Sequence, residues 1–306
     1  MKISFLIAAH NEEKIIARAL NNLLNMPFND YEVIIGLDGC TDGTEKIIKS
    51  FTKKSKKFSY QKLNLRKGKP AVINKIIKQA KGEVIIIHDA DWIFRYGNKE
   101  NISRLIKVFD DKKVGGIAES FPMEWNKEVL KRGNPGYLMV AYSTYFWMNY
   151  QKQKFSIKSG EFRIIKEPKM FMTNIFRREL YKPNSLLSDD FERTHDIINR
   201  GFKILISEDE TFPRLEASYD KLRIRDLFKQ KVRTAKAREQ LGEVGESIGI
   251  KYYLGSIFYI LTRSITKGPY IFGLMLYWVC LTIFATFYSK LKKFNTTEGW
   301  KMRMKR

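Results

Sequence analysis

A mostly parallel α/β sheet flanked by helices is the fold class that three observations predict. Apolar, strand-like runs alternate with amphipathic helical stretches from Ile3 to Asp91. The runs are apolar on both faces, as strands covered by helices on both sides must be. Two carboxylates, Asp38 and Asp89, fall where a strand stops, the end of the sheet at which such folds build their crevices.

The elements follow in order along the chain. Ile3–Ala9 is a continuous apolar run and reads as the first strand. Glu12–Leu24 places Ile15, Ile16, Ala19, Leu20 and Leu23 at helical spacing. A strand over Glu32–Leu37 ends in the turn Asp38-Gly39, and Thr44–Phe51 is a helix. A short strand near Phe58–Gln61 precedes a helix over Pro70–Ala80, and Val84–His88 is another buried strand. The second half is less regular. Val114–Phe121 reads as a strand and Lys127–Gln151 contains a long aromatic-rich helix. Lys169–Arg177 returns to the sheet, Asp190–Arg200 is a helix, and Lys203–Ser207 a short strand.

The C-terminal part has a different character. From Lys221 to Leu241, Ile224, Leu227, Phe228, Val232 and Ala235 share one face of a basic helix. That pattern suits a helix on a membrane surface or one packed on the preceding domain. Tyr252–Thr262 is apolar but too short to span a bilayer. Gly268–Ser289 is a run of 22 uncharged residues between Arg263 and Lys267 on one side and Lys290, Lys292 and Lys293 on the other. Its length can cross a hydrocarbon core, and its Tyr and Trp suit an interfacial belt; a buried soluble helix, or one lying in the interface or in a dimer contact, fits the same run.

Composition narrows the classes of function. With 44% hydrophobic and 29% charged residues in 306, the chain can bury a substantial core, which excludes global disorder. A net charge of +23 calls for a partner of opposite sign, such as nucleic acid, anionic headgroups or a phosphorylated substrate. From Arg214 onward 19 Lys and Arg face 7 Asp and Glu, so +12 of the excess lies in the C-terminal third. Cys40 and Cys280 show no metal-ligand spacing. Met1-Lys2 leads straight into the first strand without a secretory pattern, so a cytoplasmic catalytic part is expected.

Three segments carry candidate chemistry. Asp89-Ala90-Asp91 sets two carboxylates one small residue apart after a buried strand, an arrangement that can ligate Mg2+ or Mn2+ shared with substrate phosphates. A solvated turn would look the same. Gly68-Lys69-Pro70 opens a helix with cations nearby, a setting suited to phosphate or to a plain capped helix. Asp189-Asp190 opens another helix. Either residue can be a cap, or Asp190 can take a proton from an acceptor, its basicity raised by the adjacent charge.

In this order, Ile7 to Glu13, Asp38 to Thr44, Gly68-Lys69 to Asn74 and Gly82 to Asp91 resemble family-2 glycosyltransferases of the GT-A fold. The resemblance continues through Asn174 to Arg178, Ser188 to Glu192 and Arg200 to Ile204, and covers roughly residues 1 to 240. It implies that Ala8, Ala9, His10, Asn11 and Glu12, with Asp38, surround the nucleoside of a nucleoside-diphosphate sugar. It implies further that Lys69 faces nucleoside or diphosphate, that Asp91 holds the metal, and that Asp89 contacts ribose or supports the metal across Ala90. Asp190 then becomes the general base, with Asp189 on the acceptor side. Relatives often carry proline at Ala8, tyrosine at His10 and a second aspartate at Leu37. Gln230-Lys231-Val232-Arg233-Thr234 is similar to the Gln-x-x-Arg-Trp segment of processive relatives, with Thr234 in place of the tryptophan. Gln230 and Arg233 are thus assigned to the acceptor or diphosphate side of a non-processive enzyme.

The expected organisation is a GT-A catalytic domain over 1–215, a basic membrane-proximal helix over 216–250, and a membrane-associated segment over 251–306. The last includes a membrane helix at 268–289 and a basic tail. The expected activity is inverting transfer of a sugar to a hydroxyl on a lipid-linked or other glycan acceptor. A polyprenyl-phosphate sugar synthase is the alternative of the same class. A basic nucleic-acid-binding protein explains the charge but not the ordered carboxylates, so no nucleic acid is expected as partner.

Overall fold

The computed structural model describes all residues except 126, 184–188, 218–221, 244–248 and 292–306. The chain divides into two compact units. The first takes in Met1–Ser120, Lys158–Ser185 and Asp189–Ala217, and the second Phe121–Ile157, Leu186–Ser188 and Ser218–Arg306. The consecutive segments expected from sequence are therefore interleaved: residues 121–157 group with the C-terminal helices and not with the sheet.

In the first unit, β1 (Ile3–Ala9), β2 (Tyr31–Asp38), β3 (Phe58–Leu63) and β4 (Val84–Ile87) are parallel neighbours in the order β3-β2-β1-β4. β1 is buried at every position, which is why its sequence shows no alternation. The helices between these strands are α1 (Ile16–Leu24), α2 (Thr44–Lys54) and α3 (Lys69–Ile76). α1 buries Ile16, Ala19, Leu20 and Leu23, the stripe read from the sequence. It starts four residues later than expected, because Asn11 adopts φ 54° and the residues after it are tied to the next loop. α3 lies close on β2. A Cβ at Gly36 would stand 2.2 Å from Val72 Cγ1, so only glycine permits this approach.

Beyond β4 come β5 (Trp92–Arg95), α4 (Lys99–Val108) and β6 (Val114–Ala118). β9 (Thr173–Arg177) runs antiparallel between β4 and β6. β10 (Lys203–Ser207) pairs parallel with β6 and antiparallel with β8 (Phe162–Ile165), and β7 (Ser156–Ser159) ends the sheet. α7 (Asp189–Asn199) precedes β10, and β11 (Arg214–Ala217) pairs with β5 in a separate ribbon. The result is the mostly parallel α/β sheet that was expected. β5, β8 and β11 are short and lie outside the strands anticipated from the sequence.

The second unit is helical. α5 (Lys127–Arg132) and α6 (Pro135–Phe155) replace the single helix expected over 127–151. Asn134 separates them: its Oδ1 accepts the Tyr137 amide at 2.9 Å as an N-cap, and Pro135 takes the first turn. α8 (Ile224–Glu243), α9 (Ile250–Ile265) and α10 (Pro269–Leu291) follow. Tyr137, Met139, Leu227, Ile260, Ile271 and Met275 belong to the core that these helices share.

Candidate active site

β1 lies where the strand order reverses, with β2 to one side and β4 to the other. Ligand crevices in open α/β sheets form at the carboxyl ends beside such a point. The loops there are tied to each other by side chains. Asn11 Oδ1 accepts the Thr41 amide at 2.8 Å, and its Nδ2 donates to Thr41 Oγ1 at 3.1 Å. Glu13 Oε2 accepts the Gly43 amide at 2.8 Å, and the Glu12 amide donates to Thr44 Oγ1 at 2.8 Å. His10 Nδ1 lies 2.5 Å from the Asp38 carbonyl oxygen. Cys40 Sγ meets the Ala9 carbonyl at 3.3 Å.

Asp38 ties in a third loop. Its carboxylate is fully buried, accepting the Lys67 amide at 2.6 Å and the Gly68 amide at 2.9 Å. Gly68 then takes φ 90°, a region closed to most side chains, and α3 begins at Lys69. In this structure Asp38 sets the entry of α3, and so the position of Lys69.

Lys69 is the centre of the constellation. Its Nζ lies 3.0 Å from Asp89 Oδ1 and 3.3 Å from Asp189 Oδ1, joining the end of β4 to the start of α7. Burial disfavours the ammonium form, but the charges of Asp189, Asp89 and Asp190 outweigh it and hold the pKa above the ordinary lysine value. Asp189 also receives Arg193 Nη2 at 2.7 Å, one turn along α7. Burial opposes its charge, yet Lys69 and Arg193 together keep its carboxyl below the usual range. Arg193 Nη1 donates to the Thr173 carbonyl at 2.6 Å, anchoring α7 to β9.

Asp190 behaves in the opposite way. Burial and then the charge of Asp189 push it up to about 6, with Lys69 and Arg193 only partly offsetting the rise. Its Oδ1 accepts the Phe191 amide at 3.0 Å. Two neighbouring carboxyls with pKa values driven apart are the arrangement from which one emerges as a base near neutral pH.

Two acidic-site neighbours were not singled out from the sequence. His88 is fully buried with Nδ1 at 2.7 Å from the Asp89 carbonyl, and burial pushes its pKa down to about 4. The neutral ring braces the turn that carries Asp89. Glu119, directly after β6, is 2% exposed; its Oε2 accepts the Leu215 amide at 3.1 Å. Burial pushes it up to about 8, and the nearby charge of Asp190 adds to the rise. The strand expected over Val114–Phe121 ends at Ala118, and only this earlier end puts Glu119 where a strand stops.

Lys69, Asp89, Asp189 and Asp190 thus come together in the first unit. Ala8, Ala9 and Ala90 have buried methyl groups and offer a ligand little side-chain surface. Gln230 and Arg233 lie on α8 in the second unit, where Thr234 Oγ1 donates back to the Gln230 carbonyl at 3.0 Å. Among the described residues no three His, Cys, Asp or Glu side chains form a metal cluster. Asp89 and Asp91 therefore offer two carboxylates as hard oxygen ligands. That set fits a divalent cation completed by a diphosphate better than a closed protein cage. Asp89 Oδ1 already holds a cation, the Lys69 ammonium, so the position favours positive charge.

The glycosyl transferase family 2 profile matches residues 4–180, which includes Asp89 and Asp91 and stops short of Asp189 and Asp190. A poly-beta-1,6-N-acetyl-D-glucosamine synthase of Staphylococcus epidermidis is 37% identical over 91 residues, 30% of this chain and 22% of that protein. A Methanococcus voltae dolichyl N-acetyl-alpha-D-glucosaminyl phosphate 3-beta-D-2,3-diacetamido-2,3-dideoxy-beta-D-glucuronosyltransferase is 29% identical over 239 residues, 71% of this chain and 66% of that protein. The chain spans between a fifth and a half of the length of the first relatives it matches. Among solved structures, a mannosyltransferase of Pyrobaculum calidifontis in complex with GDP-Man and Mn2+ superposes with a TM-score of 0.57 at 15% identity. That match covers 98% of this chain and 85% of the other. It establishes the GT-A fold.

Proposed function

The chain belongs to glycosyl transferase family 2, and from that premise we propose that it transfers a sugar from a nucleoside diphosphate to a hydroxyl with inversion at the anomeric carbon. The observation that carries this reading is Lys69, which joins Asp89 to Asp189 beside the raised Asp190. Donor-side and acceptor-side carboxylates are thereby gathered around one ammonium group.

Each residue has a distinct task in this reading. Asp190 accepts the proton of the acceptor hydroxyl as that oxygen attacks the anomeric carbon and the bond to the diphosphate breaks. A base with a pKa near 6 is deprotonated at neutral pH yet basic enough to take the proton in the transition state. Asp189 raises it and is itself held ionised by Arg193. Lys69 keeps both carboxylates in place. Asp91, with Asp89, would hold Mg2+ or Mn2+, which when bound supplies Lewis-acid stabilisation of the leaving diphosphate. The Mn2+ and GDP-Man of the mannosyltransferase complex support this choice of ligand. His10, Asn11 and Glu12 border the nucleoside side, with Asp38 fixing the loop beneath it.

The acceptor we propose is a lipid-linked glycan. Two observations support it: the relative named for a dolichyl-linked acceptor and the apolar helix Pro269–Leu291, long enough to associate with a membrane. The test is a screen of nucleotide sugars for diphosphate release with Mn2+ or Mg2+ and polyprenyl-linked glycans. Asp190→Asn should lose about 10²–10⁴-fold in kcat, and Asp91→Asn should lose activity at low metal. Full activity of Asp190→Asn with a bare polyprenyl phosphate would move the acceptor to the lipid phosphate itself, which needs no base. Turnover of no donor at all would end the proposal.

A further inference from the structure

α10 meets the length and apolarity requirements of a membrane span, but its packing fits a different placement. One face of the helix is buried through Ile271, Met275, Val279, Ala285 and Ser289. The opposite face is exposed along its whole length and apolar, with Tyr277, Ile283 and Phe287 (72% exposed) on it, while Phe284 stands at its margin beside Phe228 of α8.

The buried face is covered in part by α8, a helix rich in Lys and Arg. The Phe228 ring lies 5.7 Å from that of Phe284 and 5.5 Å from that of Tyr288, tilted against both. Val232 packs with Ala285, and Lys231 Nζ sits 3.7 Å over the Trp278 ring. These contacts run from Trp278 to Tyr288, about 15 Å of helix reaching from its middle to near its end. A spanning α10 would therefore carry Lys229, Lys231, Arg233 and Lys236 of α8 to hydrocarbon depth, where cations are costly and rare.

α9 points the same way. It is 16 residues long, too short to cross. It buries Tyr252, Ser256, Ile260 and Ser264 and exposes Ile250, Leu254, Phe258 and Ile265. α9 and α10 thus present apolar faces to the outside while polar α8 lies behind α10. Lys251, Arg263, Lys267 and Lys290 border these faces, a charge complementary to anionic headgroups.

We propose that α9 and α10 lie flat in one leaflet of an anionic bilayer as a monotopic anchor, with no segment of α10 crossing it. The occupant of the exposed apolar face is lipid, and the basic residues around it contact headgroup phosphates.

The test reads topology and does not depend on any transfer activity. Cys40 and Cys280 are replaced by serine in the full chain, and Lys267→Cys or Lys290→Cys is added singly. The two introduced positions stand at opposite ends of α10. Membrane vesicles sealed in each orientation are treated with a membrane-impermeant maleimide, and detergent-dissolved vesicles confirm that both thiols react. Both positions should label in one vesicle orientation and neither in the other. Labelling in opposite orientations would show a span and overturn the proposal. So would recovery of the chain in the soluble fraction, alone or paired with a second copy. Ile283→Glu with Phe287→Glu should cut binding to anionic phospholipid vesicles about tenfold or more with unchanged far-UV circular dichroism; undiminished binding by the folded variant would refute the role of this face.

Discussion

Glu119→Gln is an isosteric change whose effect on stability should depend on pH, and it can be measured without knowing the substrate. Glu119 is 2% exposed, and burial, the largest influence on it, lifts its pKa from 4.5 to about 8; Asp190 and Glu216 add to the rise, while the Leu215 amide and Arg214 oppose it. Because the folded-state value lies above the unfolded one, the native state holds an extra proton between them. The stability that this group contributes is complete below the unfolded value and is lost as pH rises through the folded one. At about 1.4 kcal/mol per pH unit the ceiling is of order 4–5 kcal/mol. Relaxation and water penetration lower that, and about 2–3 kcal/mol, or roughly 5–10 °C in Tm, is the working expectation. Glutamine keeps an acceptor for the Leu215 amide and never ionises. The Tm of Glu119→Gln minus that of the wild type, measured in mild detergent, should therefore grow steadily from about pH 5 to about pH 8.5. A difference that stays flat across this range would mean that Glu119 is ionised throughout, and the reasoning about its burial would fall.

With Asp190 as the proposed base, its raised pKa predicts an acid limb in kcat/KM near pH 6, since such a base acts only when deprotonated. Asp189→Asn removes the neighbouring negative charge and should move that limb to lower pH, whereas Lys69→Met removes an opposing positive charge and should move it higher. Shifts in the same direction would contradict this arrangement. Gly36→Ala places a methyl 2.2 Å from Val72 Cγ1 and should destabilise the fold by about 1–3 kcal/mol, measurable by denaturant titration. Because α3 carries Lys69, the surviving folded enzyme should also show a raised donor KM.

Much of the first unit was legible because its strands obey the rule for buried parallel sheets. Ile3–Ala9 and Val84–Ile87 are apolar without alternation, and both were found within a residue or two. Asp89, Lys69 and Asp189 could be placed by asking what stands at strand ends and helix starts. What they do to one another could not, since the ion pairs of Lys69 join residues 20 and 120 positions away in the chain. The hydrogen bonds of Asp38 were out of reach for a similar reason: its partners are main-chain amides, which no side-chain pattern announces. β5 and β11 escaped notice because each has four residues, and a ribbon that short depends on its partner more than on its own pattern. The single helix expected over 127–151 overlooked Gly133-Asn134-Pro135, a stop and start signal visible in the letters themselves.

The ties among the three crevice loops bear on the thermodynamics of ligand capture. Asn11 with Thr41, Glu13 with Gly43, and Asp38 with Lys67 and Gly68 lock segments that in most α/β proteins are mobile. The entropy of ordering these loops is lost when the chain folds, so a nucleotide arriving later has little backbone left to freeze. Amide hydrogen exchange around residues 10–13, 38–44 and 65–69 should accordingly be slow before any nucleotide is added and change little afterwards.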